Sequence, residues 1–250
     1  MPDQLFDYTI HLADNSLIMG HRLSEWTGHG PILEQDIAIS NIALDLIGQS
    51  RNFYQYAAQI KGAGATEDSL AYLRLAGEFK NILLVELPNG DWAKTILKLF
   101  FFSTYKYFLY QKLIASIDKQ LSAIAEKSFK EVIYHLRWSS EWVVRLGDGT
   151  EESHNRMQDA INELWNYTDE MFVSVEYETA VAKNNIGVDI PGLKNGWSKK
   201  IDDVFIEATL FLPENKMTET GGKQGIHTKY LTAILSDMQY LQRTYPGCEW

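Results

Sequence analysis

Apolar residues recur at spacings of three and four along nearly the whole chain, and no alternating run bounded by turn residues interrupts them. This period is that of an amphipathic α-helix, whereas the side chains of a strand alternate with a period of two. The pattern therefore predicts an all-α protein. Breaks rich in glycine and proline separate four long predicted helices, at about residues 5–26, 31–61, 91–117 and 121–146.

Four long helices joined by short breaks are typical of a four-helix bundle, which we predict over about residues 5–147. The rest of the chain, about residues 150–250, predicts shorter helices that wrap the bundle. No linker, repeat or low-complexity tract divides the sequence. We therefore predict a single domain over residues 1–250, a length sufficient to bury a large core.

Polar residues just ahead of apolar runs predict where several helices begin. Thr66, Asp91 and Thr150 each precede such a run, and each carries a side-chain oxygen that can accept a hydrogen bond from a free N–H of the first turn. Acidic residues follow Thr66 and Thr150, where the helix dipole favours negative charge. These three residues are predicted N-caps.

The apolar faces of the long helices suggest which side chains enter the core. The second helix carries Leu33, Ile37, Leu44 and Ile47 on one apolar stripe. The third is apolar nearly all round, which predicts burial within the chain or under a partner. On the fourth helix the predicted inward stripe consists of Leu121, Ala125, Ser128, Val132, His135, Ser139, Trp142 and Leu146.

The fourth helix also contains a near match to a di-iron motif. Di-iron bundles use a glutamate and a histidine three residues apart, which share one helix face. Here the residue three before His135 is Val132, and the acid, Glu131, lies four before it. On the second helix Asp45 is the best inward acid, but Gly48 stands where a histidine is needed. Each helix keeps half of a ligand pair, so we expect neither a metal nor catalytic residues in this chain.

Two other motifs have structural explanations. Glu151-Glu152-Ser153-His154 matches the di-iron spacing but follows a glycine-rich break, so we interpret it as the acidic first turn of a helix capped by Thr150. The glycine-rich segment 220–225 fits neither a dinucleotide-binding nor a P-loop spacing, and no strand precedes it. It is interpreted as a turn before a helix.

Composition excludes several classes of protein. The chain is 45% hydrophobic and 12% aromatic, which is typical of a folded globular protein. A formal net charge of -10 opposes binding to nucleic acid or to an anionic membrane. No uninterrupted apolar run is long enough to cross a bilayer, no secretory signal is evident, and Cys248 is the single cysteine. These features favour a cytoplasmic location.

Several separate blocks of sequence resemble a known family. The blocks are Leu23–His29, Asn41–Asn52, Leu84–Gly90, Tyr134–Arg137, Thr220–Thr228, Met238–Arg243 and Tyr245–Gly247. Together, and in this order, they are similar to the C-subunit family of bacterial phenylacetyl-CoA epoxidases. The resemblance covers essentially the whole chain.

This resemblance implies a ferritin-like fold and a place in a cytoplasmic, multicomponent oxygenase of aerobic phenylacetate degradation. In such complexes a related catalytic subunit holds the di-iron centre and epoxidises the ring of phenylacetyl-CoA. A separate reductase with flavin and iron–sulfur groups supplies the electrons. The C-subunit lacks the centre and supports the catalytic subunit as a paired bundle, so no cofactor is expected in this chain.

The resemblance also implies that the C-subunit helps to form the CoA site at its junction with the catalytic subunit. By alignment, the substrate-binding residues are Glu78, Phe79, Lys80, Asn81, Thr179, Ala180 and Val181. Lys80 is the residue suited to meet a CoA phosphate. The structural alternative for each of these residues is the packing of a helix end on its neighbour.

Two other functions remain open from the residues alone. The first is an independent di-iron oxidase with the unconventional ligands Glu25, Asp45, Glu131 and His135. The second is a helical module that binds acyl-CoA alone. The structural-subunit hypothesis differs from both because it predicts an exposed apolar surface for the partner, through which the isolated chain can also form a homo-oligomer.

Overall fold

The computed structural model describes residues 2–213 and 217–248, and within these ranges the chain forms ten α-helices and no strand. The helices are α1 (Pro2–Ser24), α2 (Leu33–Lys61), α3 (Glu67–Tyr72), α4 (Leu83–Glu86), α5 (Trp92–Leu113), α6 (Lys119–Gly147), α7 (Glu151–Leu164), α8 (Glu176–Lys183), α9 (Lys194–Glu207) and α10 (Lys229–Thr244). Short 3-10 helices lie at Ala76–Glu78, Trp165–Tyr167, Asp169–Phe172, Pro191–Leu193 and Gly222–Gln224. The predicted all-α class is confirmed.

The predicted N-caps are confirmed. Thr66 and Thr150 each accept a hydrogen bond from the backbone N–H three residues on and complete a capping box with a serine. Asp91 accepts from the N–H of Lys94 at 2.9 Å. α5 ends at Leu113, four residues before its predicted end, because Asp118 already caps the next helix by accepting from the N–H groups of residues 120 and 121.

Two compact units make up the chain. The first contains residues up to Pro88, Val175–Val181 and the residues from Gly221 onward; the second contains Asn89–Ser174 and Ala182–Thr220. The single-domain organisation inferred from the sequence stays a prediction. Each unit contains one pair of long helices, α1 with α2 in the first and α5 with α6 in the second.

In the first unit, α1 and α2 pack along their length around a core that includes Ile39, Ile42, Leu46 and Phe53 of α2, all buried. The apolar stripe predicted for this core was wrong. Leu33, Ile37 and Leu44 are 72%, 51% and 66% exposed, and Ile47 is half-buried. α2 is apolar on two faces, and the pattern alone does not show which face a neighbouring helix covers.

In the second unit, α5 packs against α6, α7 and α9 and is buried along most of its length. Phe100, Phe101 and Phe102 are at most 1% exposed, so the helix needs no partner to cover it. The buried Trp197 of α9 donates from Nε1 to the carbonyl oxygen of Phe101 at 3.0 Å and lies among the rings of Phe101, Trp165 and Phe172. Exposed apolar side chains lie elsewhere, and three of them, Leu33, Ile37 and Leu44, belong to α2.

Candidate functional site

The two segments predicted to bind CoA lie side by side in the first unit. Residues 78–81 follow the 3-10 helix Ala76–Glu78, and residues 179–181 belong to α8. The ring of His11 lies between them: its Nδ1 is 2.7 Å from the carbonyl oxygen of Lys80, and its Nε2 is 3.5 Å from Oε1 of Glu178. The Lys80 ammonium lies 5.2 Å from the ring centroid of Tyr177. The fold thus brings together segments about a hundred residues apart in the sequence.

The seven predicted residues divide into two groups by exposure. Glu78 and Thr179 are exposed, and Lys80 and Ala180 are half-buried, so these four reach the surface. Phe79, Asn81 and Val181 are fully buried. The buried three can support the surface but cannot touch a ligand that lies on it.

Lys80 is the side chain of this set whose charge suits a phosphate. Its ammonium lies 3.5 Å from Oδ2 of Asp7, and both side chains are partly exposed. The carboxylate of Glu78 points back to its own chain, where Oε2 accepts from the backbone N–H of Leu75 at 2.7 Å. The ion pair between Lys80 and Asp7 is partly exposed and therefore weak, so an anion that approaches Lys80 can displace Asp7 as its partner.

His11 is neutral and acts as a structural hydrogen-bonding group. Burial lowers its pKa to about 4, and the negative charge of Glu178 opposes this shift without overcoming it. With Nδ1–H donated to the Lys80 carbonyl, the unprotonated Nε2 accepts from Nδ2 of Asn15 at 3.1 Å. The approach of Nε2 to Glu178 is thus not an ion pair at neutral pH.

A second histidine, the half-buried His227, has its pKa shifted in the opposite direction. His227 places Nδ1 2.9 Å from Oε2 of Glu86 and Nε2 2.9 Å from the carbonyl oxygen of Phe79. Burial lowers the pKa of His227, but its hydrogen bond to Glu86 and the charge of that carboxylate outweigh burial, so the pKa lies above its usual value. Because both partners are acceptors, the ring is best satisfied as an imidazolium that donates from both nitrogens.

Glu86 joins three parts of the first unit. Its fully buried carboxylate accepts from Nδ2 of Asn81 at 2.9 Å and from the backbone N–H of Thr228 at 2.6 Å, in addition to His227. Its backbone carbonyl accepts from Nε and Nη2 of Arg22 in α1. These bonds tie the end of the predicted CoA segment to α1 and to the start of α10.

Asp14 and Arg74 form a further buried ion pair behind the same segment. The guanidinium donates to both carboxylate oxygens of Asp14, to the hydroxyl of Tyr54 and to the carbonyl oxygen of Glu78. Asp14 also accepts from the backbone N–H of Lys80 at 2.8 Å. The backbone of residues 78–80 is therefore fixed by side chains of α1 and by Arg74.

Sequence reasoning missed this network, and one member of it lies in the segment interpreted as a turn. Lys223 is 2% exposed, and its ammonium lies 3.0 and 3.1 Å from the two oxygens of the buried Glu178. No local signal identifies the pair, because its members are 45 residues apart and neither stands in a recognisable motif. The turn itself is confirmed, since residues 221–225 form a 3-10 turn ahead of α10.

The positions on α6 that correspond to the di-iron motif carry side chains that do not suit metal binding. Val132 and His135 are buried, as predicted, and Glu131 is half-buried. Glu131 acts electrostatically on the buried ammonium of Lys106 from α5, which also lies 4.9 Å from the ring centroid of Tyr110. Val132 offers no ligand atom where the motif needs an acid, and the half-buried Glu131 faces a lysine amine instead of a second ligand, so the residues here do not fit an iron site.

The acids proposed as unconventional ligands in the first unit do not face a core. Glu25 is exposed and accepts from Nη1 of Arg22 at 2.7 Å, while Asp45 is half-buried and Gly48 is exposed. Within residues 2–213 and 217–248, no three histidine, cysteine, aspartate or glutamate side chains are grouped as a metal site would require. His154 of the literal motif lies in the first turn of α7, where its Nδ1 is 2.8 Å from the carbonyl oxygen of Gly147.

Comparison with known proteins identifies the family. A family model described as Phenylacetic acid catabolic protein matches residues 1–250. The chain belongs to this family. The C-subunit of 1,2-phenylacetyl-CoA epoxidase from Escherichia coli strain K12 is 46% identical over 248 residues, which cover 99% of this chain and 100% of that protein. The phenylacetic acid catabolic family is ferritin-like and helical, so the fold class and the resemblance to the epoxidase C-subunit are both confirmed.

None of the helices in the described part of the chain combines the length and apolar character that crossing a membrane requires. The long apolar helix α5 carries Lys98 and Lys106, both buried. It is a core helix, as the sequence predicted.

Proposed function

We propose that this chain is the non-catalytic structural subunit of a phenylacetyl-CoA epoxidase and that it forms one edge of the CoA site with the catalytic subunit. The observation that supports the proposal most strongly is the match to an epoxidase C-subunit over the whole length of both chains. The catalytic subunit would hold the di-iron centre, and a reductase with flavin and iron–sulfur groups would supply electrons. The assembly would lie in the cytoplasm.

The non-catalytic role is supported by the side chains that occupy the former ligand positions. Val132 has no lone pair to give, and Gly48 has no side chain. Each of these residues removes a ligand that a di-iron bundle needs. What remains is a helical scaffold.

The supporting role is consistent with the exposed face of α2. Leu33, Ile37 and Leu44 recur along it at helical spacing, and exposed Gly48 continues the face with open space above its Cα. Clusters of exposed apolar side chains mark interaction sites, and a glycine lets two helices approach closely. We propose that this face, which we call the α2 stripe, contacts the catalytic subunit.

Co-expression with the catalytic subunit tests the assembly. We expect one stable heteromeric species in gel filtration, with iron near zero in the separately purified chain and iron retained in the complex. Replacing Leu33, Ile37 and Leu44 by aspartate should abolish the complex and leave the helical content of the chain unchanged, because these side chains are exposed. The matched control is a triple aspartate variant at the exposed positions Lys127, Lys130 and Arg137 of α6.

Separate elution of the wild-type chains would contradict the proposal. About two irons per isolated chain would instead establish an independent di-iron oxidase. Calorimetric binding of phenylacetyl-CoA to the isolated chain at the affinity of the complex would favour an acyl-CoA module that acts alone. Each of the three functions therefore has a distinct result.

Lys80 provides a test of the CoA edge. In the assembled complex, Lys80→Ala is expected to raise KM for phenylacetyl-CoA about tenfold and leave kcat nearly unchanged, since one charge-assisted contact to a phosphate is lost equally from ground and transition states. The exposed Lys127→Ala is the control and should leave both constants unchanged. An unchanged KM for Lys80→Ala would remove Lys80 from the CoA site.

A further inference from the structure

The glycine-rich loop at residues 221–225 packs against the predicted CoA segment without leaving room for side chains. A Cβ on Gly222 would lie 2.2 Å from the backbone carbonyl oxygen of Asn81, and one on Gly225 would lie 2.2 Å from that of Gly77. Gly225 also has a positive φ of 81°, which favours glycine. Glycines at these positions allow the loop to approach the backbone of residues 77–83 closely.

Between these two glycines, Lys223 turns into the interior and meets α8. Its ammonium binds both oxygens of Glu178, and its backbone carbonyl accepts from the hydroxyl of Tyr177 at 3.2 Å. Glu178 in turn accepts from the backbone N–H of Val175 at 3.1 Å, ahead of the first turn of α8. The loop is thus fastened to α8 by a buried ion pair and by a bond to its own backbone.

The loop consequently joins the two predicted CoA segments. Its glycines lie on the backbone of one segment, and Lys223 holds the helix that carries the other. Tyr177, which binds the loop through its hydroxyl, also presents its ring to the Lys80 ammonium. α1 and Arg74 hold the backbone of Lys80, while the loop, through Tyr177 and α8, influences where the Lys80 ammonium lies relative to Thr179.

We propose that Lys223 and Glu178 are positioning residues for CoA recognition, whose buried ion pair holds the glycine-rich loop and so sets the place of Lys80 relative to α8. This proposal rests on the proposed function, in which Lys80 meets a phosphate of CoA. Neither residue touches the ligand, because both are buried.

Stability alone does not account for such a pair. Removing two charges from water costs about as much as their attraction returns, so an apolar pair of similar volume would hold the loop as firmly. An ion pair differs from an apolar pair because it is directional. The ammonium of Lys223 has to point at the carboxylate of Glu178, and this fixes the position of the loop along α8. A positional role explains this choice of residues better than a purely stabilising one.

The test uses the assembled complex with the double variant Lys223→Met/Glu178→Gln, which removes both charges and keeps their volume. We expect a folded chain that still assembles, with KM for phenylacetyl-CoA raised about tenfold and kcat changed less than about twofold. Adding Lys80→Ala to this variant should raise KM no further, because a displaced Lys80 no longer contributes. A loss of stability alone would not produce this split between KM and kcat.

Tyr177→Phe tests the same proposal should the double variant fail to fold. It removes one hydroxyl, leaves the ion pair and the aromatic ring in place, and is expected to raise KM about threefold. If Lys80→Ala raises KM but the folded double variant, or Tyr177→Phe in its place, retains the wild-type KM, the positioning role is overturned and the proposed function stands. If Lys80→Ala leaves KM unchanged, the CoA edge itself is wrong and the positioning role falls with it.

Discussion

Arg74→Met is expected to lower the free energy of unfolding by about 3–5 kcal/mol, because it leaves the carboxylate of Asp14 buried without its cation. The side chain of Asp14 is fully buried, and Arg74 donates to both of its oxygens. The guanidinium also lies 4.0 Å from the ring centroid of Phe79, so its loss leaves a space beside a core aromatic. Chemical denaturation followed by circular dichroism measures the change.

Two variants accompany this measurement. Arg51→Met removes an exposed arginine that lies 3.5 Å from Glu67 and should cost less than about 1 kcal/mol. Adding Asp14→Asn to Arg74→Met removes the uncompensated charge and is expected to recover part of the loss. If Arg74→Met costs no more than Arg51→Met, the ion pair does not hold this part of the fold.

Helix ends were predictable from the sequence where local chemistry determines them. Thr66, Asp91 and Thr150 cap helices as expected because an N-cap needs only its own side chain and the next few N–H groups. The burial of Val132 and His135 followed from helical periodicity on α6, which has one strongly apolar face. In these cases the residues that determine the helix end or the buried face lie within two turns of one another in the helix.

Features that depend on distant contacts were not predictable in the same way. The α2 stripe resembles a core face in the sequence, because Ile42 and Leu46 on one side and Leu33 and Leu44 on another both satisfy a helical spacing. Only the packing of α1 shows which side is buried. The pairing of Lys223 with Glu178 likewise depends on how a loop and a helix far apart in sequence meet.

The candidate site was predictable only in part, because it depends both on local sequence and on contacts between distant segments. The resemblance of short blocks indicated two segments, and the fold places them together through His11 and Tyr177. It does not follow that all seven residues have the same role, since Asn81 and Val181 are buried and Lys80 and Thr179 reach the surface. Burial is what separates residues that can touch a ligand from those that hold them in place.

Lys106 is expected to make the stability of the chain rise with pH. Burial lowers the pKa of Lys106 to about 7, and the charge of Glu131 offsets only part of this shift. In the unfolded chain a lysine has a pKa of about 10.4. Between these two values the unfolded state binds a proton that the folded state does not, so raising the pH favours the folded state.

The measurement compares wild type with Lys106→Met from pH 7 to pH 10, so that titrations shared by both proteins cancel. Relative to the variant, wild type should gain on the order of 4 kcal/mol over this range, at up to about 1.4 kcal/mol per pH unit. Lys127→Met, at an exposed position on α6, should show no such gain. A constant difference between wild type and Lys106→Met would mean that the buried amine keeps its proton, and that the acid of the broken ligand pair holds a permanent cation.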